Sequence, residues 1–406
     1  MQRVTRGRSV VLGVSGLALV FKVLLAFRTY GTSDIGRWEA FAQGVRSAGP
    51  VGVYGINWTD LLYNHPPVIG WFLELVNGVG HLGIGVGAAI RVVASCADVI
   101  TAVVVFELLR RRGTLPVATA SGVLVGASPV LFLVSGYHGN TDTIFCMLTI
   151  VSVWLLADRD RPMLAGATMA LALGVKIVPI VAVPALLVYA ASRGTRTFWR
   201  FAVAGVAVFS VFWVPAMVLQ GRNVLAHVIF YTGSDLRQWG LPQIGHWFGD
   251  PAWSTFLAGP GRFLVLVLCC GVPAFLVHRH PDRLALAVGV SLSAFLLLSP
   301  AFGVQYAAWP IAAGYLIGLT TATLYNIAAG IMLFLIYNRW SGGLPWSQVP
   351  THASRFLDDE VAVGIVAWCA LLLVVGAGLW RLVAGARATS TRSAPRVSPS
   401  RAGDRR

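Results

Sequence analysis

Charged residues are scarce in this sequence: 12% of the chain is Asp, Glu, Lys or Arg, against 56% hydrophobic residues. With a mean hydropathy of +0.73, that excludes a soluble globular domain and describes a chain that crosses a membrane many times. Lysine is scarcer still, Lys22 and Lys176 being the only two, and every other basic residue is arginine. Acidic residues number 16 against 31 basic ones, for a formal net charge of +15. The arginines fall in short clusters between apolar runs rather than on one soluble module, which argues against nucleic-acid binding and makes the charge a matter of topology. Cysteine is sparse as well. Cys96, Cys146, Cys269, Cys270 and Cys369 sit in apolar runs without zinc spacing and read as small core residues. No small-residue cleavage pattern follows the first apolar run, Ser9 to Phe27, so it reads as a retained span behind Arg3, Arg6 and Arg8.

Apolar runs are what the chain has in plenty, and two rules order them. A hydrocarbon core about 30 Å thick takes about 20 residues of helix, and arginine clusters stay on the cytoplasmic side. With the N-terminus inside, residues 28–85 form a first outer loop, and a span over 86–109 returns to Arg110, Arg111 and Arg112. Spans over 116–135 and 143–157 lead out and back to Asp158 through Arg161, with GYHGNTD as the outer turn between them. The apolar stretch 162–191 is followed by Arg193, Arg196 and Arg200, so it crosses an even number of times, yet it is too short for two full spans. Two short helices meeting at Val175 to Pro179 satisfy both demands, because Pro179 removes a backbone donor and disfavours helix before it. Lys176 then sits at an outward-facing hairpin tip.

A span over 201–219 leads to a second outer loop, 220–260, an eighth span returns to His278, Arg279, His280 and Arg283, and the last four close at 284–299, 306–320, 322–337 and 361–383. The expected fold is all-α integral membrane, with about 12 transmembrane helices in one domain over 1–383 and a basic, disordered cytoplasmic tail over 384–406. The apolar segment Pro67 to Gly85 is demoted to an outer interfacial or re-entrant helix, since counting it as a span would put the triple arginine outside; Glu74, Asn77, Gly78 and His81 give it one polar face.

On this map the uncommon residues collect on the outer side. Asp34, Arg37 and Glu39 follow the first span, Asn64 and His65 precede two prolines, and Arg91 lies just below the outer end of the second span with Asp98 two turns deeper. His138, Asn140 and Asp142 top the next pair, and Gln305 and Tyr306 top a later one. Ionisable groups at membrane depth are costly and usually functional. Each also has a plainer reading. Asp34 fits the cap of an amphipathic helix with Trp38, Phe41 and Val45 inward, Arg91 and Asp98 fit a structural pair, Asp142 fits an N-cap, and Lys176 fits a snorkelling side chain. Convergence of several on one site is harder to explain plainly. A cation such as Lys176 or Arg91 suits a membrane-anchored phosphate that leaves with developing charge, and a carboxylate such as Asp34 suits removal of a proton from an attacking hydroxyl. That pairing describes sugar transfer from a lipid phosphate to an alcohol.

At these residues the chain resembles the GT-C superfamily of polyprenyl-phosphate-sugar-dependent glycosyltransferases, and within it the bacterial mannosyltransferase type, glycosyltransferase family 87. The resemblance is carried by SDIGRW with Asp34, the NHPP run from Asn64 to Pro67, AIRVVASCADVITA with Arg91 and Asp98, and SPVLFLVSGYHGNTD ending at Asp142. LALGVKIVPIVAVP with Lys176 and LLLSPAFGVQYAAWP with Gln305 and Tyr306 complete it. It implies a GT-C-like fold and an inverting single displacement moving a hexose, mannose in this branch, onto a lipid-linked or glycan acceptor at the outer face of the plasma membrane. It further implies Asp34 as base and Lys176 and Arg91 for the donor phosphate. Some members carry an acidic pair in the first loop, where Ser33 precedes Asp34 here. One carboxylate with scattered others gives no octahedral site, so neither metal nor other cofactor is expected.

In the second outer loop, Tyr231, Trp239, Trp247 and Trp253 offer stacking faces for sugar rings, while Asp235, Arg237 and His246 offer hydrogen bonds; an interfacial aromatic belt has the same composition. Arg37, His65, His138, Asn140 and Asp142 complete the residues expected to bind or orient substrate. The competing class is a secondary transporter or flippase, but transporters place their site at the midplane, on broken helices in both halves. The outward bias of the ionic residues favours an enzyme.

Overall fold

The computed structural model describes residues 2–231, 239–348, 350 and 356–392, and the side chains of all of these except 246, 247, 251 and 385–392. Among the described residues there are helices and no strand, in the form that lipid demands when backbone groups have no water to bond. Eight helices among the described residues are long and apolar enough to cross a membrane, so the chain is a multi-pass membrane protein.

The order is α1 (Gln2–Arg28), α2 (Asp34–Gly52), α3 (Pro67–Val79), α4 (Val86–Leu109), α5 (Leu115–Gly126) and α6 (Pro129–Leu131), the last running into a π-helical turn over Phe132–His138. Then come α7 (Asp142–Ala157), α8 (Pro162–Val175), α9 (Val183–Ser192), α10 (Thr195–Val224), α11 (Gly240–Trp247), α12 (Pro251–Phe256), α13 (Arg262–Arg279), α14 (Leu284–Leu298), α15 (Trp309–Ile317), α16 (Leu319–Trp340) and α17 (Asp358–Arg392). Shorter apolar helices, α7, α8 and the run Val178–Ser192 that contains α9, lie between the long ones. Lys176 takes an extended conformation between α8 and the 3₁₀ turn Val178–Ala182, so the broken hairpin does meet at Val175 to Pro179.

One end of the bundle is rich in arginine. There Glu107 accepts from Arg8 at 2.6 Å and from Arg110 at 2.6 Å, and Asp158 accepts from Arg112 at 2.6 Å, tying α1, α4 and α7 together. The other end carries α2, α3 and the connections after α6, α8, α10, α14 and α16. A strong ion pair closes that end too, Arg339 meeting Glu360 at 2.6 Å across α16 and α17. The segment from Ser341 that joins those two helices is a third sizeable connection at this end, with Trp346 buried under it; the sequence reading allowed for only two.

Two expectations are corrected here, the Arg91–Asp98 pair and the Asp142 cap. Arg91 and Asp98 do not pair: Asp98 meets Lys22 at 2.7 Å, both fully buried, because Lys22 on α1 faces α4 at that depth and an uncompensated charge in lipid is costly. On α3 and the turn after it, Glu74, Gly78 and His81 are exposed as expected, and Asn77, half-buried, donates to the Ala42 carbonyl at 2.8 Å; Trp71 and Leu75 are exposed as well. The α7 cap is Thr141 rather than Asp142, and Asn140 Oδ1 accepts from the Asp142 N–H at 3.2 Å.

Candidate active site

Two left-handed glycines bring Asp34 and His138 together. After α1 the chain turns at Gly31, φ +88°, where a Cβ would lie 2.9 Å from the Tyr137 carbonyl. The π turn ends at Gly139, φ +79°, where a Cβ would press on Ile35. Any larger residue at either point would strain the backbone and push the two segments apart. Thr32 Oγ1 donates to the His138 carbonyl at 3.0 Å across that contact. Asp34 opens α2 immediately afterwards, and its Oδ2 lies 3.0 Å from His138 Nε2; Arg37, one turn on, donates to Oδ1 at 3.3 Å. Burial pushes the Asp34 carboxyl up, but the hydrogen bond from His138 and the charge of Arg37 outweigh it and hold the group at about 2. Asp34 is therefore an ionised acceptor at every physiological pH.

Beside it lies a cavity of about 840 Å³, within the range of small-molecule sites. Asp34, Arg37, Asn64, His65, Asn140, Lys176, Gln305 and Tyr306 line its polar part. His65 stacks on Trp38 at 4.4 Å, and its imidazole is pulled down to about 3, first by burial and then by the charge of Lys176, so it stands neutral. Lys176 bonds to Asp142, whose other oxygen accepts from Trp309 Nε1 at 2.9 Å. The same ammonium sits 4.5 Å from the Tyr306 ring centroid and 5.3 Å from that of Trp309. A carboxylate and two aromatic faces thus fix one cation with its remaining donors toward the cavity.

Asp60 and Ser299 also line it, and one flank is apolar: Val228, Ile229, Phe230 and Tyr231 beyond α10, Phe263, Val265 and Leu266 on α13, and Phe295 on α14. Ile229, Phe230 and Phe263 are also exposed on the outside of the bundle, so this flank reaches the surface that faces lipid. Arg262, the first residue of α13, is half-buried at the junction of the apolar and polar parts, and no ion-pair partner for it is found among the described residues.

Eight of the expected residues therefore share the cavity: Asp34, Arg37, His65, Asn140, Lys176, Tyr231, Gln305 and Tyr306. His138 and Asp142 stand directly behind it, each bonded to one of its charged groups. Arg91 does not line it. Its guanidinium donates to the Gly87 carbonyl at 3.0 Å and to Thr29 Oγ1 at 3.1 Å, which secures the turn into α2. Trp239 is buried, stacked on Phe302 at 4.4 Å, and Trp253 donates to the Leu241 carbonyl at 2.9 Å, so neither face is offered to the cavity. Asp235 and Arg237 lie outside the described residues, as do the side chains of His246 and Trp247. Sequence reasoning missed Arg262 and Tyr337. Arg262 follows Gly-Pro-Gly at the start of an apolar run, a signal that was available, whereas Tyr337 has an apolar context like that of any core tyrosine. No cluster of His, Cys, Asp and Glu with metal-site geometry occurs among the described residues.

Residues 64–218 match the dolichyl-phosphate-mannose-protein mannosyltransferase family. The matched stretch holds His65, Arg91, His138, Asn140, Asp142 and Lys176, while Asp34, Arg262 and Tyr306 lie outside it. This supports the GT-C superfamily and implies glycosyltransferase activity with a lipid-linked sugar donor; it does not single out family 87. No curated protein matches the chain.

Proposed function

We propose that this protein transfers a hexose, mannose first among candidates, from a polyprenyl-phosphate sugar to a hydroxyl of a lipid-linked or glycan acceptor. The reaction runs at the outer face of the plasma membrane, because the arginine-rich end belongs in the cytoplasm with both termini and the cavity lies at the opposite end. One observation carries the reading. An ionised carboxylate, a fixed ammonium and a guanidinium with no ion-pair partner among the described residues share one cavity whose apolar flank reaches the lipid-facing surface. The flank suits a polyprenyl chain entering between the outer ends of α10 and α13.

In the proposed step the acceptor hydroxyl donates to Asp34 Oδ1 and attacks the anomeric carbon. The bond from that carbon to the phosphate oxygen breaks on the opposite face, so the configuration inverts. Lys176 and Arg262 compensate the charge that grows on the leaving polyprenyl phosphate. A carboxylate held at about 2 is a weak base toward a free alcohol. It is matched to a late proton transfer, after carbon–oxygen bond formation has made the hydroxyl acidic. Neither a metal nor another cofactor enters this scheme. The test is to reconstitute the protein in lipid vesicles with a panel of labelled polyprenyl-phosphate hexoses and pentoses and an extract of membrane glycolipid acceptors. Transfer from one of them with inversion is expected, and no transfer from any member of the panel would overturn the reading.

A further inference from the structure

His138 uses both ring nitrogens. Nε2 lies 3.0 Å from Asp34 Oδ2, and Nδ1 lies 2.8 Å from the hydroxyl of Tyr337 on α16, 199 residues away in sequence. An ionised carboxylate only accepts, so the Nε2 position must carry a proton. Nδ1 then has two options: a bare lone pair accepting the Tyr337 O–H, or a second proton donated to the phenol oxygen. The second would leave the phenol's own hydrogen without an acceptor, since no other partner for that hydroxyl is found among the described residues, and Tyr337 is fully buried. An unmet donor there is costly. The neutral ring with Nε2–H satisfies every group.

We propose that Tyr337 is a positioning residue for sugar transfer: its O–H holds His138 as the Nε2–H tautomer, which anchors one oxygen of Asp34 and leaves Oδ1 to receive the acceptor hydroxyl. The inference rests on the reading of Asp34 as the base. The phenol itself is held in place. Its ring packs on Tyr137 at 5.3 Å and Trp340 at 6.0 Å, and Tyr137 in turn is covered by Trp346 at 4.8 Å. The connection after α16, which has no other assigned role, thus fixes the far end of a chain that runs Tyr337, His138, Asp34. The other charged and titratable groups facing this chain are Arg37 on α2, His65 before α3, Tyr137 on the π turn, Asp142 on α7, Lys176 after α8 and Tyr306 before α15. None of these is placed to bond Nδ1.

The test combines a spectroscopic signature with a mutant cycle. In protein labelled with ¹⁵N-histidine, the resonances lost in His138→Gln identify the ring, and a protonated Nε2 with a bare Nδ1 is expected. A proton on Nδ1 in the unaltered protein would overturn the proposal, and this readout does not depend on any sugar being transferred. Tyr337→Phe keeps the ring volume and should lower kcat about tenfold, the worth of one neutral hydrogen bond, with the donor KM little changed and the thermal midpoint lowered by the lost buried bond. Glutamine at 138 cannot tautomerise, so Tyr337→Phe should cost less than twofold in the His138→Gln background. An equal loss of kcat in both backgrounds would show that Tyr337 acts by packing and would refute the tautomer role. Failure of transfer in the unaltered protein would instead count against the reading of Asp34, leaving the tautomer result standing.

Discussion

Replacing Lys176 by methionine separates stability from function, because the ammonium has two jobs that fail in different ways. Its partner Asp142 has no exposed side-chain surface, so removing the cation leaves a buried carboxylate with only Trp309 Nε1 on its other oxygen. Breaking such a pair from one side costs about 3–5 kcal/mol. Changing Asp142 to Asn as well removes the orphaned charge and keeps an oxygen for Trp309, so Lys176→Met/Asp142→Asn should recover all but about 1 kcal/mol. Function should not recover. A cation about 4 Å from a phosphate oxygen is worth roughly 4 kcal/mol near a protein surface. The Asp142 field cancels part of that, leaving about 2 kcal/mol, or roughly thirtyfold in rate. The assay pairs thermal unfolding in detergent with transfer from a labelled polyprenyl-phosphate sugar. The single variant should be unstable and slow, and the double variant stable and still roughly thirtyfold slow. A double variant with full transfer would refute the phosphate role and leave Lys176 as a counter-ion for Asp142.

Arg262→Gln should raise the donor KM about tenfold with little loss of thermal stability, since no partner is left uncompensated; an unchanged KM across a donor titration would remove Arg262 from the phosphate site. His65 is held at about 3 against an ordinary 6.5, so between those values the unfolded chain binds more protons and stability must fall as pH falls. About 3 kcal/mol should be lost between pH 6.5 and pH 4, and His65→Gln should flatten the slope of unfolding midpoint against pH across that window. Chelation by EDTA should leave transfer unchanged, with restoration by magnesium or manganese as the contrary result.

The spans were legible because lipid thickness and arginine placement constrain them tightly, and the awkward length of 162–191 located the break at Lys176. The gathering of Asp34, His65, Asn140, Lys176 and Tyr306 was legible for the same reason, since topology alone puts them at one end of the bundle. What the sequence does not carry is which polar group bonds which. Asp98 finds Lys22 rather than Arg91, and His138 finds Tyr337, because those choices depend on helix rotation and on contacts between residues far apart in sequence. The role of the connection after α16 was hidden likewise, since nothing in its composition marks Trp346 as the cover over Tyr137.

The most direct measurement of the central claim is sugar transfer by Asp34→Asn protein reconstituted in vesicles with its donor and acceptor. Asparagine keeps the size of the side chain and a hydrogen-bonding partner for His138 but cannot take a proton. The account predicts a loss of kcat of about 10²–10⁴-fold with donor binding and thermal stability retained, and transfer at the unaltered rate would contradict it.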